Sequence, residues 1–205
     1  KSLKTKQGIE YKFINNDLSG KLSVPEDKER NLSFKFDFIK INQSSSGSKD
    51  SFLSLYNGIK EEFDFSADAI FLNGKNYGKW EFSILPEDNK FTLYGIKGIY
   101  GKWGLKDNEE GISSLQVIKN TIGWTSELKT NIYSGSPEKA MIQIGITPNF
   151  ELDTLSLDAD LTWNDLPWLF DYNLIKGEIT TNLNGLTIKN SKDLETQNNI
   201  LRLVN

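Results

Sequence analysis

Large apolar and polar side chains alternate with a period of two through most of this 205-residue chain. That pattern restricts it to strands with one greasy face and one wet face, because a helix would scatter such residues around its axis. Ile9, Tyr11 and Phe13 alternate with Glu10 and Lys12, and Leu18, Gly20, Leu22 and Val24 with Ser19, Lys21 and Ser23. Phe34, Phe36 and Phe38 alternate with Lys35 and Asp37, Phe63 and Phe65 flank Asp64, and Trp80, Phe82 and Ile84 alternate with Glu81 and Ser83. Phe91 and Leu93 flank Thr92, and Leu128, Thr130 and Ile132 alternate with Lys129 and Asn131. Leu155 to Trp163 is the longest run, and Ile179, Thr181 and Leu183 form the last.

Turn signals separate the runs: Asn15-Asn16-Asp17, Pro25-Glu26-Asp27, Asn73-Gly74, Pro86 to Asn89, Asp107 to Gly111 and Asn184-Gly185. Their spacing predicts an all-β fold, a long antiparallel meander. The Ser-rich stretch Gln43 to Asp50 reads as a surface loop. Hydrophobic residues make up 37% of the chain and aromatics 12%. The first figure, with a mean hydropathy of -0.47, is low for a compact globule. The second argues against disorder. Together they suit strands wet on one side.

One or two short helices are expected. Ser136 is placed to cap a helix that starts at Pro137, with Glu138 near its positive end, Lys139 to Ile144 as its body and Gly145 as its stop. Asp193 to Val204 is the second candidate.

The chain has no Cys and no His. Disulfide scaffolds, thiolate catalysis, the usual zinc sites and a Ser-His-Asp triad are therefore excluded. A net charge of -4 leaves no basic patch to follow a phosphate backbone, so nucleic acid is not an expected partner. No apolar run is long enough to span a membrane. Lys1 is not an initiator Met and Asn205 follows Leu203-Val204, so both ends are expected to be cuts inside a longer protein, with 1-205 a single segment of it.

Three patterns touch on chemistry. Ser136-Pro137-Glu138-Lys139 fits S-x-x-K, but the companion S-D-N and K-T-G elements are missing and a helix cap explains the same residues. Asp158 and Asp160 share a strand face, and paired carboxylates can do acid–base work or hold Ca²⁺; with Leu157, Ala159, Leu161 and Trp163 on the opposite face, a solvated polar face is the favoured reading. Gly95, Gly98, Gly101 and Gly104 lie in aromatic, strand-like sequence, where bulges or close packing are expected rather than a phosphate loop. No enzyme activity, cofactor or metal is expected. The apolar alternation carries the most information. It fits a closed sandwich or barrel, and it also fits a face kept open for acyl chains.

The segment Leu157-Asp158-Ala159-Asp160-Leu161-Thr162-Trp163, then Asn164-Asp165-Leu166-Pro167-Trp168, then Ile175 to Ile179 and Leu183 to Ile188, resembles the late C-terminal region of YhdP-type members of the AsmA-like family. Leu18 to Pro25, Asn76-Tyr77-Gly78-Lys79-Trp80, Tyr100-Gly101-Lys102-Trp103 and the Ser136 to Gly145 helix are similar to elements of that family in the same order. Ser51 to Gly58, apolar where the family is commonly Pro-rich, and the polar tail Glu195 to Asn199 depart from it.

The resemblance implies a meander curled into an open, β-taco-like groove, part of a larger periplasmic β-groove domain. The whole protein would be anchored in the inner membrane of a cell with two membranes. It would carry phospholipid toward the outer membrane and support barrier integrity. The expected lining is Phe34, Phe36, Phe38, Trp80, Phe82, Phe91, Leu93, Leu128, Ile132, Leu157, Leu161, Ile179 and Leu183. The other reading is a closed β-sandwich that binds carbohydrate or a protein. An apolar face cut from its neighbours could also pair two copies as a dimer.

Overall fold

The computed structural model describes residues 2–5, 8–27, 29–41, 60–107, 111–167, 169 and 171–188. The alternating runs all become strands. β1 (Ser2–Thr5), β2 (Gly8–Ile14), β3 (Leu18–Pro25) and β4 (Leu32–Ile41) come first. β5 (Phe63–Ala67), β6 (Ile70–Leu72), β7 (Lys75–Asn76), β8 (Lys79–Glu87) and β9 (Lys90–Tyr100) follow. Then come β10 (Trp103–Lys106), β11 (Ser114–Asn120) and β12 (Gly123–Ser134). Helix α1 (Pro137–Gln143) precedes β13 (Phe150–Glu151), β14 (Thr154–Asn164), β15 (Lys176–Asn184) and β16 (Thr187–Ile188).

Fourteen strands form one sheet whose main path is β1-β2-β3-β4-β5-β8-β9-β10-β12-β14-β15, and β13 pairs with β16 in a separate ribbon. Strand order follows chain order because short turns join neighbours. Asn15 Oδ1 accepts from the N–H groups of Asp17 and Leu18, both at 2.8 Å, and so folds its own turn between β2 and β3. Asn73 and Gly74 both take positive φ (49° and 80°), the geometry that suits a two-residue hairpin between β6 and β7. The path ends at β1 and β15, which do not pair, so the described sheet is not a barrel.

The sheet differs from the expected meander at β4. It runs parallel to β5 (Leu32 opposite Phe63, Phe36 opposite Ala67) and parallel to β6 (Ile39 opposite Ile70). The sheet is therefore mixed. A hairpin turn reverses chain direction, whereas a parallel pair needs a longer return; most of this one lies outside the described residues, as does the Gln43 to Asp50 loop.

Several lanes hold two strands end to end. β10 and β11 both sit between β9 and β12, β10 toward Tyr100 and β11 toward Phe91. Asp107 Oδ1 accepts from the Ser113 N–H at 3.0 Å and pins the break between them.

Helix α1 begins at Pro137 as expected, but the Ser136 side chain makes no capping bond. Instead Ser134 Oγ accepts from the Ser136 N–H at 3.1 Å. Gly145, at φ 85°, ends the helix: the Ile146 N–H reaches Met141 O and the Gly145 N–H reaches Ile142 O. The second candidate helix, Asp193 to Val204, lies outside the described residues. Among the described residues there is also a short 3₁₀ turn, Tyr172–Leu174, with the Asp171 side chain accepting from the Asn173 N–H. Among the described residues no helix is long and apolar enough to cross a membrane.

Candidate functional site

Cα partners across a sheet share a face, so the strand register shows which side chains stand together. One transverse row runs Leu32–Phe63–Ile84–Leu93–Leu115–Leu128–Leu161 across seven strands, ending at Gly177 on β15. A second runs Phe13–Gly20–Phe36–Ala67–Trp80–Gly98–Leu105–Ile132–Leu157–Thr181. Between them lies Tyr11–Leu22–Phe34–Phe65–Phe82. No charged residue interrupts these rows.

The aromatic part is packed ring on ring. Phe65 stacks on Phe82 at 4.6 Å, Phe34 meets Phe63 edge-on at 5.2 Å, and Phe36 lies 5.7 Å from Phe65. The Trp80 ring lies flat over Gly98, where an added Cβ would come within 2.6 Å of it. Gly104 is crowded in the same way by the Tyr133 ring, and Gly95 and Gly101 take φ 62° at a bulge and a turn. The four recurring glycines thus serve packing and backbone geometry.

Phe36, Trp80, Ile132 and Leu157 stand in the second row, Leu93, Leu128 and Leu161 in the first, and Phe34 and Phe82 between them. Phe91 is buried in a short row, Pro86–Phe91–Val117–Ser126–Trp163. Ile179 pairs with Ala159 and Leu183 with Leu155, both at the β15 edge. Phe38 is set apart from these. A bulge in β4 puts it opposite Ser19, which lies on the other face from Gly20, and the Lys40 ammonium sits 5.3 Å from its ring.

Two covers lie over the apolar face. At one corner the chain leaving β14 folds back and inserts Leu166, 0% exposed, among Ile84, Phe91 and Val117. Ser126 Oγ donates to Asp165 O at 2.7 Å and holds that turn down. At the opposite end α1 and the Phe150–Leu152 segment pack on Leu155, with Trp103 Nε1 donating to Ala140 O at 2.9 Å. Beneath this second cover is a cavity of about 220 Å³. Met141, Phe150, Leu152 and Leu155 wall it, Leu157 joins it to the second row, and among the described residues Thr181 is its one side-chain hydroxyl. The space is open on one side, where Ile144, Leu183 and Leu186 are exposed.

The opposite face carries the charges. Lys21 Nζ donates to Glu10 at 2.8 Å and, with this bond as the main cause, holds the Glu10 carboxyl below its ordinary pKa. Lys79 does the same to Glu81, also at 2.8 Å. Tyr94 donates its hydroxyl to Glu62, which pushes the phenol pKa up. Asp160 pairs with Lys129 at 3.0 Å, and Asp158 accepts from Asn131 Nδ2 at 2.8 Å. These two carboxylates therefore have separate partners, Asp160 in an exposed ion pair and Asp158 against the buried Asn131 amide. Among the described residues no group of three acidic side chains is placed to hold a metal ion.

The alternation revealed the face but not its covers. Val117, 1% exposed, and Leu115 lie in β11, whose own alternation around Gln116 was a usable signal. Leu166 and Met141 sit in irregular or helical sequence, where nothing local marks what they touch. No family model, curated protein or solved structure matches the chain.

Proposed function

We propose that the chain is a module that shields hydrocarbon, the acyl chains of phospholipid, on the apolar face of its sheet, and that it performs no catalytic step. The observation that carries this reading is the pair of uncharged transverse rows, covered among the described residues only at the Leu166 corner and the α1 end. Exposing an acyl chain to water costs about 0.8 kcal/mol per methylene. A row of leucines and aromatic rings removes that cost without directional bonds, so a chain can slide from one strand to the next. Headgroups would stay in water at the open side.

The finer parts of the proposal rest on the ordered motif resemblance alone. They are a curled groove, a place in the periplasm between two membranes, and an inner-membrane anchor elsewhere in a longer protein. A closed sandwich that binds carbohydrate or protein would need a second layer over the rows. The described residues place only α1, the β13–β16 ribbon and the Leu166 turn there.

The test is photocrosslinking with p-benzoylphenylalanine at Phe36 and Leu161 in cells, followed by mass spectrometry of the adducts. Phospholipid adducts at both positions are expected. A folded protein with no lipid adduct at either position would sink the proposal.

A further inference from the structure

We infer that the cavity beneath α1 receives the methyl end of an unbranched hydrocarbon chain; this rests on the reading that the apolar face holds acyl chains. Its chemistry selects the ligand. Among the described residues the walls are almost wholly apolar, Thr181 is the sole side-chain hydroxyl, and no charged side chain lines the space. A carboxylate or phosphate entering it would lose water and gain no partner. The headgroup end of a lipid is thereby refused and the methyl end accepted.

Size narrows the choice further. At about 220 Å³ the space exceeds the ~150 Å³ that suffices for a benzene-sized guest. It is smaller than the ~300–1,000 Å³ of sites that enclose a whole drug-sized molecule. It has room for about seven groups of water or methylene size, at ~30 Å³ each. A chain terminus fits.

The cavity is also connected to the face. β14 forms its floor: Leu161 stands in the open row, Ala159 and Leu157 follow, and Leu155, 4% exposed, lies inside. The rim is apolar and exposed, with Ile144 at 53%, Leu183 at 41% and Leu186 at 47%. The α1 terminus described above shapes the opposite wall. The backbone bond from Ile146 to Met141 brings these two lining side chains together. A chain lying along β14 would therefore end in an apolar socket. The socket would register how far the chain has advanced.

Trp103 lines the socket and Trp80 lies on the open face, so the two indoles report separately. The probes are hexadecanoic acid brominated at its methyl end and the same acid brominated beside its carboxyl, with bromine quenching of fluorescence as the readout. Each indole's share is taken from the difference between the protein and its Trp103→Phe or Trp80→Phe variant. The methyl-end probe is expected to remove most of the Trp103 emission and the carboxyl-end probe little of it. Leu186→Asp or Ile144→Asp, both at exposed rim positions, should raise the concentration needed at Trp103 by at least about tenfold. Quenching at Trp80 should persist in these variants.

Quenching at Trp80 but never at Trp103 would overturn the socket and leave the shielding proposal standing. Absence of quenching at either indole would overturn both. Equal quenching of Trp103 by the two probes would overturn the methyl-first orientation. Quenching of Trp103 only after removal of residues 189–205 would make the chain's own C-terminal segment the occupant and overturn the inference.

Discussion

Replacing Leu166 and Leu161 by alanine, one at a time, separates a sealed core from an open face. Leu166 is 0% exposed and fills a space walled by Ile84, Phe91 and Val117. Its truncation removes buried methyl groups and leaves a cavity that rigid strands cannot close, which costs about 3–4 kcal/mol. Leu161 is half-buried in the first row, with Leu128 on one side and the side-chain-free Gly177 on the other. Its truncation at an open face loses only part of a leucine's transfer free energy, about 1 kcal/mol, with no enclosed cavity. Urea unfolding followed by circular dichroism reads both. With a slope near ~2 kcal/mol per molar, the midpoint should fall by roughly 1.5–2 M for Leu166→Ala and about 0.5 M for Leu161→Ala. Equal shifts would mean that the Leu161 row is sealed by a second layer, and the open-face reasoning would fail. A Leu166→Ala shift below about 0.5 M would show that the turn after β14 does not plug the core.

Two further outcomes are expected. In alkaline titration followed by tyrosinate absorbance, Tyr100 should ionise below the ordinary phenol range, because the bond with Lys75 favours its anion, and Tyr94 above it, because its bond with Glu62 favours the neutral form. Tyr94's raised folded pKa means its contribution to stability is intact below the ordinary phenol value and is lost as pH rises through the folded one; Tyr100→Phe should delete the earliest step, Tyr94→Phe the latest, and no change from either would refute the assignments. Gly98→Ala should force the Trp80 ring to move, since the new Cβ would meet it at 2.6 Å. It should lower stability by about 1–3 kcal/mol and shift the indole emission, and an unshifted spectrum with unchanged stability would contradict the packing described.

The strands and their greasy face were legible because a strand writes its two sides directly into alternate residues. Leu155 to Trp163 became β14 whole, and the turns at Asn15 and Asn73 fell between strands as their chemistry requires, whereas of Pro86 to Asn89 only Asp88 and Asn89 form the turn and Pro86 and Glu87 stay in β8. Gly145 stopped the helix for a local reason, its left-handed backbone. Ser136 misled because a capping residue type at the right place does not guarantee the bond, which here goes from the Ser136 N–H to Ser134 Oγ.

What remained hidden depends on residues far apart in the chain. Phe38 keeps the period of its neighbours in sequence, and only the pairing of β4 with β3 reveals the bulge that turns it toward Lys40. The parallel join of β4 to β5 is a choice of neighbour, which alternation does not record. The placement of Leu166 over Phe91 and Val117, and the meeting of Met141, Phe150 and Leu155 around an apolar cavity, are likewise contacts between distant segments. The sequence by itself determined strands, faces and turns, because those follow from side-chain period and backbone preference within a few residues. Tertiary structure alone decided which rows line up and where the described residues cover them, because those depend on contacts that no local pattern encodes.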